Sequence, residues 1–164
     1  DLKGEGKIRS IFDPCCGTGG LLTMGKEWII ENINPNIEIK TSGQELNPQT
    51  YSICKSDMLI SGGNPDNIKL GSSLSEDGFQ GERFDYMITN PPFGVSWKSE
   101  EEFVVNESNN PQGRFSVGTP RISDGSLLFL QHMISKMELK GSRIGVVFNA
   151  YKKRLIKSAG IVIA

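Results

Sequence analysis

Short apolar, β-favouring runs alternate along this chain with stretches whose apolar residues return every three or four positions. The first run, Ile8 to Phe12, stops at Asp13-Pro14 and a glycine cluster, and a periodic stretch follows at once. Leu21, Leu22, Gly25, Trp28 and Ile29 predict one buried helical stripe, which Asn34-Pro35 ends. Ile37 to Ser42 alternates as a strand does and leads into Gly43-Gln44-Glu45. Asn47 before Pro48 predicts a helix start, because an Asn side chain accepts from free first-turn amides and proline suits the first helical position. That helix should run to about Leu59. From Ser61 to Gly81 the composition is that of loop, with a weak strand at Ile68 to Leu70. Phe84 to Thr89 predicts a strand ending on Asn90-Pro91-Pro92-Phe93. Ser96 to Ser123 is polar, has little periodicity and reads as a long loop, a length usually kept for function. Leu127, Leu130, Ile134 and Met137 predict a helical stripe, and Arg143 to Phe148 a last buried strand.

Repeated β-α-β alternation predicts an α/β fold, a doubly wound and mostly parallel sheet with helices on both faces. Ligands of such sheets sit at the carboxyl ends of the strands. At 164 residues the chain reads as one domain spanning 1–164. Its composition, 37% apolar and 23% charged, is that of a soluble protein, and no apolar run approaches a membrane span. Asp1 to Lys7 lacks the apolar stretch of a secretory signal, so the expected location is cytoplasmic. A net charge of −1 argues against a protein that coats nucleic acid by bulk electrostatics; a DNA substrate would need local basic surface or a partner to supply it. Cys15, Cys16 and Cys54 form no repeated C-x-x-C pattern, so reduced thiols packed in a turn and no metal are expected.

Three predicted strands end in residues suited to chemistry, and the topology places all three on one rim. Asp13-Pro14-Cys15-Cys16-Gly17-Thr18-Gly19-Gly20 combines glycines that let backbone approach a ligand with a helix whose first amides face it. An acid at the strand tip favours a ligand with a cationic or hydrogen-donating group, such as an amino-acid ammonium, over a bare phosphate. Glu45, 28 residues after Gly17, stands where nucleoside-binding sheets place a carboxylate for ribose hydroxyls, although a solvated strand-end charge is the plain alternative. Asn90-Pro91-Pro92-Phe93 is the most specific string, and it resembles the motif of amino-group methyltransferases. By that resemblance the Asn90 side-chain oxygen and the Pro91 carbonyl accept the two protons of a planar amine, while Phe93 stacks on the ring that carries it. An adenine amine is a poor nucleophile because its lone pair is delocalised into the ring. Acceptors on both N–H groups pull the nitrogen toward tetrahedral geometry and aim it.

Those strings, together with Gly43-Gln44-Glu45-Leu46-Asn47-Pro48 and Ser123-Asp124-Gly125-Ser126-Leu127-Leu128-Phe129-Leu130-Gln131-His132-Met133, resemble the modification subunit of type I restriction-modification systems over residues 8–149. The resemblance implies the Rossmann-like sheet of S-adenosylmethionine-dependent methyltransferases and an adenine-specific DNA methyltransferase. It assigns Asp13, Gly17, Gly19, Glu45 and Asn90 to the S-adenosylmethionine site and Asn90, Pro91 and Phe93 to catalysis on the base. It also implies DNA as substrate, a specificity subunit and a restriction subunit as partners, and no metal. Near Gly71-Ser72-Ser73-Leu74 the family commonly carries an Asp or Asn for the donor's adenine ring, where this chain has serines. The family usually begins with a helical domain and continues past residue 149 with a Gly-Ser-Pro stretch. Here 150–164 read as a divergent tail, and the chain as a truncated or frame-shifted fragment. Arg143 to Phe148 would then lie near an exposed edge, inviting association into a homo-oligomer, unless Ile161 to Ile163 pairs with it.

Several residues have plainer readings. His132 reads as surface or structural, since no carboxylate or nucleophile nearby in sequence suggests a triad. Arg114 and Arg121 fit either DNA phosphates or solvated loop charge, and Lys152, Lys153 and Arg154 a solvated tail. Two other functions compete: a protein glutamine methyltransferase, which also uses Asn-Pro-Pro plus an aromatic residue but favours Tyr at the last place, and an inactive fragment or interaction module that keeps the fold.

Overall fold

A computed structural model describes residues 2–3, 7–148 and 159–163; side chains are described as far as residue 147. β1 (Ile8–Asp13) runs through the middle of a six-stranded sheet between β2 (Glu38–Glu45) and β4 (Tyr86–Thr89). β3 (Ile68–Leu70) lies outside β2, and β5 (Arg143–Phe148) outside β4. These five are parallel. β6 (Ala159–Ile163) closes the far side antiparallel to β5, with Val146 opposite Ile161, so the pairing that would cover Arg143 to Phe148 is present. The chain crosses from one side of β1 to the other between β3 and β4, which makes the gap between β1 and β4 the topological switch point, where such sheets bind ligands. The register aligns Asp13 with Gly43 and Phe12 with Met87, so β1, β2 and β4 end on one rim.

The helices follow from local chemistry. α1 (Gly20–Asn32) starts directly after Gly19. α2 (Pro48–Ile60) starts on Asn47, whose side chain accepts from the Gln49 and Thr50 amides at 2.9 and 3.1 Å, with Pro48 at the first helical position. Both pack on one face of the sheet, where Leu22, Ile29, Cys54 and Met58 meet Ile11, Ile37 and Ile39. The other face carries Phe12, Met87, Ile144 and Val146 against Phe79, Phe84 and Met133, with Phe12 and Phe84 stacked at 4.4 Å. Each large apolar side chain taken fully out of water contributes on the order of 1.5–3 kcal/mol. Two cores divided by a parallel sheet are the doubly wound architecture.

Three expectations are corrected. Trp28 is 58% exposed, and of the α1 stripe only Leu22 and Ile29 are buried, because α1 meets the sheet along a narrower line than five apolar-permitting positions suggest. α4 (Ser126–Ser135) buries Leu128, His132 and Met133, while Leu127 and Ile134 are half exposed and Met137 lies beyond its end. Apolar periodicity misses this phase because a polar histidine occupies the buried line. The segment 96–123 is not simply loop: a single 3-10 turn (Lys98–Glu100) leads into α3 (Glu101–Ser108). Leu74, Trp97, Val104, Phe115 and Leu128 form a small core of their own there. α3 buries only Val104, too little for a periodic signal. Lys152, Lys153 and Arg154 lie outside the described residues. Among the described residues no helix is long and apolar enough to cross a membrane.

Candidate active site

The rim is assembled around Asp13. Its side chain is 1% exposed, and its Oδ1 accepts from the Cys15 amide at 3.0 Å and from the Thr89 hydroxyl at 2.7 Å. The first bond shapes the turn after β1, and the second ties that turn to the last residue of β4. Asn90 follows directly, so the glycine turn and the Asn-Pro-Pro-Phe turn share one fixed point. Cys15 Sγ reinforces it, 3.0 Å from Thr89 Oγ1 and 3.7 Å from the Asn90 carbonyl oxygen. Burial pushes the Asp13 carboxyl up to about 6 against the lowering effect of those hydrogen bonds, and the neighbouring Glu45 charge adds to the rise. Burial likewise pushes the Cys15 thiol up, with the Asp13 charge adding to it, so it stays protonated.

Glu45 closes the other side. Its Oε2 accepts from the Gly17 amide at 2.9 Å and its Oε1 from the Asn47 amide at 2.7 Å, while the Cys16 amide donates to the Gln44 carbonyl at 3.0 Å. Gly17 and Gly19 have φ of +57° and +89°, a region that side chains rarely enter. At Gly19 a Cβ would also stand 2.8 Å from Cys54 Sγ, so the turn has no room for one. Two carboxyl groups thus flank a glycine turn, and among the described residues no lysine or arginine forms an ion pair with either. A ligand carrying positive charge and hydroxyl donors fits that pair of acceptors. The cationic amino-acid and ribose parts of S-adenosylmethionine have those groups.

Asn90 is exposed at the mouth, Pro91 is buried and Phe93 is half buried. Among the described residues no hydrogen bond engages the Asn90 side chain or the Pro91 carbonyl, which leaves both acceptors available. The chain beyond is strapped to the start of α4. Trp97 is buried, its indole N–H donates to the Arg121 carbonyl at 3.0 Å, and the Gly125 amide donates to the Val95 carbonyl at 3.1 Å.

The sequence reading missed Thr89, whose one signal was a hydroxyl at the end of a buried strand. The 71–74 string marks Ser73 as a candidate for the donor's adenine ring, but not its bond: the Ser73 Oγ is buried and donates to the Pro14 carbonyl at 2.5 Å. No local pattern reveals a partner 59 positions away. Arg114 is neither solvated nor open to DNA: its guanidinium pairs with Glu107 at 2.6 Å and donates to His132 Nδ1 at 2.8 Å. His132 is fully buried, and burial, with Arg114 next to it, holds its protonation down to about 3. It is therefore a neutral acceptor for Arg114 across the physiological range. Arg121 is exposed.

Residues 3–152 match the N-6 DNA methylase family. The chain is 31% identical over 135 residues to the type I restriction enzyme MjaIX methylase subunit of Methanocaldococcus jannaschii, a match that covers 82% of this chain and 23% of that protein. Among solved structures it superposes on the type I restriction-modification system methyltransferase subunit of Streptococcus thermophilus with a TM-score of 0.69 and 22% identity, over 87% of this chain and 29% of the other. It also superposes on a Listeria monocytogenes protein described as a class I S-adenosylmethionine-dependent methyltransferase, with a TM-score of 0.65 and 17% identity, over 88% and 40%. The chain thus spans about a quarter of the length of the type I subunits it matches.

Proposed function

The chain belongs to the N-6 DNA methylase family, and from that membership we propose that it is the catalytic part of a type I modification subunit, transferring a methyl group from S-adenosylmethionine to the N6 amine of adenine in DNA. The carrying observation is the 2.7 Å bond between Thr89 and Asp13, which ties the start of the Asn90-Pro91-Pro92-Phe93 turn to the glycine turn. Asp13 would hold the ammonium of S-adenosylmethionine, Glu45 its ribose hydroxyls, and Gly17 and Gly19 would let the backbone come close to it. When bound there it supplies an electrophilic methyl on a sulfonium, so no metal is required. Phe93 offers a face on which an adenine taken out of the duplex can stack. The Asn90 side-chain oxygen and the Pro91 carbonyl accept from the two N–H groups of that amine, draw its nitrogen toward tetrahedral geometry and aim its lone pair at the methyl. The amine sheds one proton to solvent as the new N–C bond forms and the methyl–sulfur bond breaks, while the two carbonyl oxygens only accept hydrogen bonds.

The relatives named as type I methylase subunits support a DNA substrate and a multi-subunit setting: a specificity subunit to select the sequence and a restriction subunit beside it. A net charge of −1 agrees with recognition by a partner rather than by bulk charge on this chain. A cytoplasmic location and one catalytic domain over the chain belong to the same reading. The test is mass-spectrometric detection of N6-methyladenine in duplex DNA incubated with S-adenosylmethionine and the assembled complex. Product that disappears with Asn90→Ala supports the proposal. A folded complex whose Asn90→Ala form methylates as fast as the parent rejects it.

A further inference from the structure

The guanidinium of Arg114 spends all five of its N–H groups inside the protein. Nε and Nη2 donate to the two carboxylate oxygens of Glu107 at 2.7 and 2.6 Å. Nη1 donates to the Ser73 carbonyl at 2.7 Å and to His132 Nδ1 at 2.8 Å, and the second Nη2 hydrogen goes to the Leu74 carbonyl at 3.0 Å. Its planar carbon sits 4.8 Å from the centre of the Phe115 ring. A fork with every donor used has one geometry, which a lysine cannot reproduce. Four segments are thereby locked together: α3 through Glu107, α4 through His132, the 73–74 strip, and the loop bearing Arg114 itself.

One of those segments reaches the rim. Ser73, held at its carbonyl by Arg114, donates its hydroxyl at 2.5 Å to the carbonyl of Pro14, the residue after Asp13. Ser73 is 3% exposed, and with its hydroxyl turned to Pro14 it braces the turn from behind. Arg114 lies against the small core beyond the Asn-Pro-Pro-Phe turn through Phe115, which packs in that core with Trp97 and Val104. A continuous line runs from that small core through Arg114 and Ser73 to the turn that carries Asp13 and Cys15.

We propose that Arg114 is a positioning residue for the methyl donor, acting through Ser73 on the Asp13-Pro14-Cys15 turn, so that order in the segment after the base-binding turn and occupancy of the donor site are coupled. The proposal rests on the reading of that rim as the donor site. Coupling of this kind is carried by rigid, fully bonded networks and changes affinity by factors of a few to about thirty. It is reciprocal: donor binding should protect the 113–115 amides, and loosening Arg114 should weaken donor binding.

The experiment is a double-mutant cycle on the full chain, with Arg114→Gln, Ser73→Ala and the two combined. It is read by calorimetric titration with S-adenosylmethionine and by amide hydrogen exchange of the unliganded proteins. Circular dichroism at the titration temperature establishes folding. Each single change is expected to weaken donor binding about tenfold, and the double change no further than the weaker-binding single, because the two act in series. Exchange at the Cys15 and Cys16 amides should accelerate in both variants, although neither substitution touches those residues. Additive losses, or folded variants that bind the donor like the parent, overturn the proposal. Should Arg114→Gln fail to fold, Arg114→Lys, which keeps the charge and loses the fork, takes its place with the same expected losses. If the parent chain binds no donor, the donor-site reading fails by itself. Exchange at Cys15 and Cys16 then decides the link alone: acceleration in Ser73→Ala and the Arg114 variant keeps it, and unchanged rates reject it.

Discussion

Asp13 is held in a state that costs stability. Its proton is bound more tightly in the native chain, where burial raises the carboxyl to about 6, than in the unfolded chain near 3.8. The cost of the ionised form is therefore fully present above about pH 6 and is relieved as pH falls from about 6 toward 3.8. Asp13→Asn keeps an oxygen for the Cys15 amide and the Thr89 hydroxyl without the charge. It should raise stability at pH 8 by up to about 3 kcal/mol in urea unfolding, an advantage that fades toward pH 4. On the proposed role of Asp13, in which its ionised carboxylate pairs with a cationic donor, that stability has a functional cost: donor affinity should fall as pH drops below about 6, and Asp13→Asn should bind weakly at every pH. At the other half of the site, Asn90→Ala should lower kcat by roughly 10²–10³, in the range found when a preorganised polar group is removed from a transition state. Single-turnover kinetics in the assembled complex measure that loss.

Two elements set the shape of the site, the glycine turn into α1 and the small core over 96–128. In the turn, Gly19→Ala forces a side chain into φ of +89° and to within 2.8 Å of Cys54 Sγ. A loss of roughly 1–3 kcal/mol is expected from the strain, read as a lower urea midpoint with an unchanged slope. In the small core, Trp97→Ala removes the side chain that packs against Gly125 and anchors to the Arg121 carbonyl, which should cost about 3–5 kcal/mol locally. Hydrogen exchange should then show α3 and the 113–118 amides opening while β1, β2 and β4 stay protected. The existence of most elements was legible from periodicity and turn residues: β1, the Asn47-Pro48 start of α2 and the weak β3 are where pattern placed them. The phase of α4 was not, because His132 is buried by its bond to Arg114 rather than by hydrophobicity. Nor was α3, where one buried valine carries the packing.

At the scale of the whole molecule the site is a product of topology. Strand tips far apart in sequence meet because β1 lies at the reversal of strand order, with Asp13 and Thr89 76 positions apart yet 2.7 Å from each other. The three turns could be read as one rim from the β-α-β alternation alone, since parallel sheets put all their carboxyl ends on one side. What could not be read were the fastenings. Ser73 to Pro14 and Arg114 to Ser73, Leu74 and His132 are long-range hydrogen bonds with no period and no local composition to mark them. The two carboxyl groups on the rim give it a local negative character within a nearly neutral chain, suited to a cationic ligand. Whether this rim binds S-adenosylmethionine through Asp13, as proposed, is decided by calorimetric titration of the parent chain and of Asp13→Ala with S-adenosylmethionine at pH 8. Saturable binding at one site is expected in the parent, and its loss in a folded Asp13→Ala. Equal affinity in the two proteins, or no heat of binding from a folded parent chain, would contradict it.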